Sequence, residues 1–442
     1  MRRRDVLWGF GAVGVLGAAG CQTMANAGPV EANEAGVEAA FLYAYPLYEI
    51  ARTGQNRAQM PGLNKMGARA TLSDHTARQI TAPNNDTVYS SAQLELSGGP
   101  VEVISPSSAD RYFNITFMDA FSDNFAGLGT RLTGGKGGTF WVVGPQWMGS
   151  APAGVTVLRS STNDVWMLGR IVVEGPSDLA AAKALQDQIK IKSLATTPPK
   201  AFAVKATSTD DPSNFLAVVN DMLARSPGGL GHMARASNYA NVGVGPGVTP
   251  TAEQLAMWSA YLPKGIAKLK EKFLFRDLTV NGWGYQESGV GEASGSDFLR
   301  SAIALGGLAA LPEAEAMYFQ STTDETGVRL DGASKYVWRI PPGGIPASAF
   351  WSLTMYQAEP DGRFFLVQNP INRFSVGDRT PGLVKNADGS IDILIQREQP
   401  TGPLAANWLP AAAGAMRMSL RAYLPKPELR NRTWKIPPVR KV

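Results

Sequence analysis

Between about Leu72 and Glu174 the chain consists of short apolar runs cut apart by glycine and proline, a pattern that only closely spaced strands satisfy. Val88 to Leu96 is the clearest of them. Val88, Ser90, Ala92, Leu94 and Leu96 fall on one face, and Tyr89, Ser91, Gln93 and Glu95 on the other, the period-2 signature of a half-buried strand. Val101 to Ser105, Tyr112 to Met118, Thr139 to Val143, Val155 to Arg159 and Val165 to Val173 follow between turn residues, a spacing that predicts a β-sandwich. The chain holds 47 glycines and 30 prolines in 442 residues, enough turns to supply many short strands.

The N-terminus reads as an export signal. MRRRDVLWGFGAVGVLGAAGC has a basic start and an apolar run from Val6 to Ala19, too short for a usual membrane span. Arg3-Arg4-Asp5-Val6-Leu7 follows the twin-arginine pattern. Cys21, the single cysteine, stands where a bacterial lipoprotein is acylated, although Ala18 occupies a place where leucine is commonest. The expectation is a signal over 1–20, a lipid anchor at Cys21 and a polar tether over 21–35, placing the protein in the bacterial cell envelope. An ordinary cleaved signal with an idle cysteine is the competing reading. A chain left without free thiols suits export in the folded state.

Three segments follow the tether. Residues 36–195 hold an aromatic helix, Gly36 to Gly54, with a break or kink expected at Pro46, then the sandwich, then a helix capped by Ser177. Residues 196–312 form a helical connector. Asp211-Pro212 starts one helix, Thr251 to Gln254 is a capping box for a second that Pro263 divides, and a third spans Asp297 to Ala310. Residues 313–442 return to strands at Tyr336 to Ile340, Phe350 to Met355, Phe364 to Val367 and Ile391 to Ile395, a jelly-roll-like pattern. The fold class expected is mainly β with a helical connector, an N-terminal immunoglobulin-like β-sandwich and a C-terminal jelly-roll-like β-sandwich.

Much familiar chemistry is missing. There is no G-x-S-x-G or S-x-x-K, no phosphate-binding glycine loop, no H-E-x-x-H and no C-x-x-C, so no motif calls for a metal or a cofactor. A charge of +5 without basic stripes gives no sign of nucleic-acid binding. The oligomeric state is left open.

The candidate site is the polar corner PNNDT that opens the Val88 strand. Asn84, Asn85, Asp86, Thr87 and Tyr89 either cap a turn or hold a ligand at a sandwich rim. Asp86 shares parity with Val88, so it points to the core side and needs a partner, for which Arg111, followed by Tyr112, is a candidate. His75, eleven residues before Asp86, is the best available general base, with Asp119 to orient it or share its proton. His232 reads as structural. In the C-terminal half Trp351, Tyr356, Asn372, Arg373, Asn407 and Trp408 supply aromatics beside amides and a guanidinium, the equipment that holds a carbohydrate or other small polar ligand. Trp351 serves equally well as core; Arg373 and, beside Tyr423, Arg421 stand out because arginine is costly to bury unpaired, and Arg373 could be paired by Asp378. The function expected is metal-independent hydrolysis or elimination on such a substrate, in a pocket between the two β domains. Non-catalytic ligand binding and a structural envelope role are the alternatives.

PNNDTVYSSAQLELSGGPV, DRYFNITFMDAFSDNFAGLGTR, GPQW and DVWMLGRIVV resemble the bacterial DUF1254 family. DFLRSAIALGGLAALPEAEAMYF, AFWSLTMY, NPINRFSVGDR, DGSIDILIQ, NWLP and LRAYLPKPE resemble its usual C-terminal companion, DUF1214. The resemblance implies the two-sandwich architecture and assigns no activity. Phe374 stands where the pattern has tyrosine, which removes a hydroxyl from that position.

Overall fold

The computed structural model describes residues 28–78, 81–227, 229, 231–271, 276–292, 296–360 and 362–442. The signal, Cys21 and the first part of the tether lie outside them. The fold is mainly β with helices between two β-sandwich-like units, as the sequence predicts. Among the described residues no helix is long and apolar enough to cross a membrane.

The N-terminal unit has nine strands: β1 (Met66–Arg69), β2 (Thr87–Glu95), β3 (Val101–Ser105), β4 (Phe113–Met118), β5 (Asn124–Gly129), β6 (Gly138–Val143), β7 (Val155–Arg159), β8 (Asp164–Val172) and β9 (Lys190–Ser193). They form one sheet in the order β1-β2-β8-β4-β5 and another in the order β7-β6-β3-β9. Val88, Ala92, Leu94, Ile115, Phe117, Met167 and Ile171 of the first sheet meet Val101, Val103, Phe140 and Val142 of the second. Strand alternation then sends Trp166, Leu168 and Met118 to the opposite face, where they join a different core.

That second core is helical. α1 (Glu34–Arg57) packs through Phe41, Tyr45 and Tyr48 against α3 (Pro212–Arg225), α4 (Ala252–Glu271) and α5 (Asp297–Gly306); α2 (Leu179–Gln186) instead lines the sandwich. The first helix therefore belongs to the helical layer, not to the sandwich with which its sequence position groups it. It also runs through Pro46 without a break. The missing proline N–H leaves the Leu42 carbonyl without its helical donor. The buried Ser301 hydroxyl of α5 donates to that carbonyl at 2.6 Å, so the defect becomes a tie between helices.

The C-terminal unit begins earlier than expected, at β10 (Arg276–Val280) and β11 (Trp283–Gln286), a hairpin turned by Asn281 and Gly282 with φ of 55° and 78°. Asn-Gly is the strongest short hairpin signal, and the connector reading passed over it. β12 (Ala316–Ser321), β13 (Tyr336–Ile340), β14 (Ala347–Ala358), β15 (Phe364–Phe365), β16 (Ser375–Gly377), β17 (Ile391–Gln396), β18 (Trp408–Pro410), β19 (Met416–Pro425) and β20 (Val439–Lys441) complete it, with a short α6 (Pro427–Arg430). The sheets run β10-β11-β12-β19-β14-β15, with β16 on β14, and β18-β17-β13-β20. Trp283, Phe319, Trp338, Trp351, Leu353, Ile393 and Leu420 fill the space between them.

Candidate functional site

Each unit keeps one sheet face that its own sandwich core does not use; part of the N-terminal face joins the helical core, and where the two faces meet, polar side chains stand beside an apolar cluster that includes Tyr112, Val172, Phe350 and Tyr423. In the N-terminal unit Asn114 of β4 pairs with Arg170 of β8, which pairs with Tyr89 of β2, giving one row across the sheet. In the C-terminal unit Tyr318 of β12 pairs with Arg421 of β19, which pairs with Ser352 of β14. The cause is local: β19 sends Met418, Leu420 and Ala422 into its own core, so Arg417, Ser419, Arg421 and Tyr423 must point the other way. The two faces meet. Arg170 feels the phenols of Tyr89, Tyr318, Tyr423 and Tyr112, which come from both units.

Arg170 and Arg421 are each only 6% exposed. Arg170 donates to Thr116 Oγ1 at 3.2 Å and to the Ala309 carbonyl at 2.7 Å. Arg421 donates to Thr354 Oγ1 at 2.9 Å, to the Tyr356 hydroxyl at 2.8 Å and to the Ala82 carbonyl at 3.1 Å. Every one of these acceptors is neutral. Tyr89 and Tyr318 remain part-exposed among buried neighbours, Tyr89 packed against the helical core and Tyr318 against the apolar cluster of Phe350 and Tyr423.

The PNNDT corner is the hinge of this arrangement. Asn84 Oδ1 accepts from the Asp86 N–H at 2.6 Å, a turn-capping bond, while its Nδ2 donates to the Tyr423 hydroxyl at 2.8 Å. Asp86 accepts from Ser352 Oγ at 2.6 Å and lies 3.5 Å from the Arg379 guanidinium. The Tyr356 hydroxyl donates to the Pro83 carbonyl at 2.8 Å, and Asn85 donates to the Ser73 carbonyl. Thr87 Oγ1 and Asn114 Oδ1 are buried without a partner. The corner is thus a turn and an inter-sheet clamp at once. Tyr356 belongs to it; Arg170, Tyr318, Ser352, Arg379 and Arg421 join it, and of these only Arg421 stands out in the sequence, as an arginine costly to bury unpaired.

Other expected members lie elsewhere. Arg111 is not the partner of Asp86: it grips Asp178 with two bonds of 2.5 and 2.6 Å and the Val172 carbonyl at 2.8 Å, which fastens the strand end to the helix that follows. Tyr112 turns its hydroxyl to Glu315 at 2.9 Å and stacks its ring 5.3 Å from Tyr423. His75 lies beside the Phe374 ring, centroids 6.4 Å apart, with Nδ1 buried and unpartnered, and Asp119 does not orient it. The expected aromatic platform is core. Trp351 packs edge-on to Trp338, Trp408 is 1% exposed, and Asn407 is sealed between the carbonyls of Val384 and Asp392. Arg373 braces the same loop through the carbonyls of Ala406 and Trp408, and Asn372 only makes its turn, with φ of 49°.

Residues 63–193 match the family model described as Protein of unknown function (DUF1254), and residues 315–427 the one described as Protein of unknown function (DUF1214). The chain belongs to this two-domain family. The VPA0106 protein from Vibrio parahaemolyticus shares its fold with a TM-score of 0.73 and 26% identity, over 93% of this chain and 100% of that one. An uncharacterized protein from Burkholderia cenocepacia aligns over 91% of this chain and 88% of its own, with 14% identity and a TM-score of 0.46. No curated protein matches.

The DUF1254 part contributes a second charged cluster, where its 119–124 loop meets the helical layer. Asp123 Oδ2 lies 2.8 Å from His232 Nε2, and Asp123 Oδ1 accepts from Arg300 Nε at 3.0 Å. Asp297 pairs with both Arg235 and Arg300. A cavity of about 10 Å³ beside Asp123, Arg300 and Gly291 has room for a single water. His232 thus ties two bodies together, as the structural reading of it expects, and it does so through the only histidine–carboxylate pair among the described residues. No three His, Cys, Asp or Glu side chains gather there or elsewhere among the described residues to hold a metal ion.

Asp119 belongs to this cluster, accepting from Ser161 Oγ at 2.7 Å and from the N–H groups of Phe121 and Asp123. Burial first, and then the Asp123 carboxylate, push it up to about 6, against the opposing pull of His232 and Ser161. A raised carboxyl pKa gives stability that is whole below the unfolded value near 4 and is lost as pH rises through about 6. Asp119→Asn mimics the protonated form. It should match the parent near pH 4 and exceed it by about 2–3 kcal/mol at pH 8, read from urea unfolding at both pH values.

Proposed function

We propose that this protein is exported to the bacterial cell envelope, anchored there through Cys21, and holds a small polar ligand, carbohydrates included, between the facing sheets of its two β units. One observation carries the binding reading: arginine, phenol and amide side chains from two different sandwiches face one another, with Tyr89 and Tyr318 part-exposed among them. A purely structural interface more often pairs its charges, whereas Arg170 and Arg421 meet only neutral acceptors here. Turnover has weaker support. Asp86 is fully engaged by Ser352 and Arg379, and the pair suited to metal-free hydrolysis or elimination is Asp123–His232, in the other cluster.

A thermal-shift screen of the purified protein against sugars, sugar acids and small acids is the direct test. A hit should raise the melting temperature with concentration and lose that effect in Tyr89→Ala. Chemical change of the hit that disappears in His232→Asn would move the reading to catalysis, and a screen without hits would favour the structural one. For the anchor, Cys21→Ser should shift the protein from the membrane pellet to the soluble envelope fraction. Persistence in the pellet would overturn the lipid assignment.

A further inference from the structure

We infer that the ligand taken between the two sheets is a hydroxylated acid, a small molecule carrying a carboxylate or phosphate on a hydroxyl-bearing carbon frame. The inference rests on the binding reading above and adds the ligand's charge and functional groups.

Of the other arginines, the buried Arg225 and Arg300 and the more exposed Arg235, Arg111 and Arg131 meet carboxylates. Arg225 has Asp164, Arg300 has Asp123 and Asp297, Arg235 has Asp297, Arg111 has Asp178, and Arg131 has Glu315. A carboxylate is the partner that offsets burial best, because a guanidinium taken out of water and left unpaired costs several kcal/mol; Arg57 and Arg373, less buried, meet only neutral acceptors. Arg170 and Arg421 are buried without a carboxylate. Their acceptors are two threonine hydroxyls, one phenol and two carbonyls, and no carboxylate oxygen lies within 4.0 Å of either among the described residues.

The carboxylates on these faces are already engaged elsewhere. Asp86 is shared by Ser352 and Arg379, and although Arg421 feels its field, the two do not touch. Glu315 is held by Arg131 at 2.6 Å and by Tyr112 at 2.9 Å. Neither these two carboxylates nor Asp378, which lies 3.8 Å from Arg379, pairs with Arg170 or Arg421. An oxyanion is the ligand group that gives them a charged partner and accepts from guanidinium and phenol donors together.

The hydroxyl part follows from the two orphans on the same face. Asn114, next to Arg170 in the pairing row, buries an Oδ1 that has no donor. Thr87, two positions before Tyr89 on β2 and so on the same side, buries an Oγ1 with no partner. One acceptor in want of a donor, beside one hydroxyl able to give or take, matches a ligand with alcohol groups next to its charge. Tyr89 and Tyr318, part-exposed, add phenol groups beside these donors and acceptors.

The test is isothermal titration of the full protein, at low salt, with gluconate and glucose 6-phosphate, and with glucose as the neutral control. The expected result is binding of one or both acids and none of glucose. Affinity should fall about tenfold in Arg170→Lys, which keeps the charge but not the fork, and similarly in Arg421→Lys. Thr87→Val provides a variant that strands no charge, and it too should weaken the acid. Which acid binds decides between carboxylate and phosphate. Glucose binding as tightly as the acids would overturn the inference while leaving the interdomain site standing. Acid binding that is unchanged in all three variants places the acid elsewhere and overturns it as well. No binding by any of the three compounds, together with an empty wider screen, would remove both readings.

Discussion

Asp86→Ala should destabilise the protein by about 2–4 kcal/mol and loosen the two β units from one another. The carboxylate is 3% exposed, accepts from Ser352 Oγ at 2.6 Å and stands 3.5 Å from Arg379. Removing it leaves a buried hydroxyl and a largely buried guanidinium without their acceptor, the situation in which truncation costs most. Arg379 also donates to the Val173 carbonyl and lies 3.9 Å over the Phe350 ring, contacts that hold it in place and keep the cost from going higher. Asp86→Asn retains an oxygen for Ser352 and should cost about half as much. The measurement is urea unfolding with hydrogen exchange of residues 81–90. Protection there should fall in Asp86→Ala well before protection in β3 or β6 does. Equal loss throughout both units would mean that the corner is no separate clamp.

What the sequence discloses about this site divides along a physical line. The strand Val88 to Leu96 is readable because one face must be apolar to enter the sandwich, and parity then assigns Asp86 and Tyr89 to opposite sides. Tyr89 reaches the polar layer on that rule. Asp86, at the strand's mouth, meets Ser352 instead of its own sandwich core, because the chain before Thr87 has not yet taken strand geometry. Arg170 is not readable in this way. It sits inside GRIVV, a run that looks like uninterrupted sandwich, and only its pairing with Tyr89 and Asn114 shows which side it faces. Arg421 is 65 residues or more from each of its side-chain partners Thr354 and Tyr356, a separation that leaves no local trace.

The aromatic residues of the C-terminal half fail as site predictors for a related reason. Trp351 and Tyr356 share β14 and differ in parity, while Trp408 is buried on β18. Trp351 points into the sandwich against Trp338, whereas Tyr356 follows Ser352 and Thr354 onto the outer face. Alternation along β14 separates them once the strand is known to start at Ala347 and run without a break to Ala358. The partner of His232 is not readable, because Asp123 is 109 residues away, on a loop whose neighbours look like turn residues.

The largest single loss of stability is expected from Asp164→Ala. Arg225, on the last turn of α3, donates to both oxygens of Asp164 at 2.8 and 2.9 Å, and the two side chains are 5% and 0% exposed. Asp164 opens β8, the strand that carries Arg170 into the polar layer, so the pair fixes the helical layer against the sheet that builds the site. Breaking a buried ion pair from one side strands the other charge and costs about 3–5 kcal/mol. Arg225 retains the carbonyls of Lys200 and Ala201, which satisfy its hydrogens but not its charge. Asp164→Leu combined with Arg225→Met should recover most of that loss, because exchanging both charges for apolar groups also removes their desolvation cost. Urea unfolding of the single and double variants measures the coupling. A double variant as unstable as the single would locate the contribution of Asp164 in packing at the head of β8, and gluconate titration of the same variants would then report whether the site needs the strand held at that end.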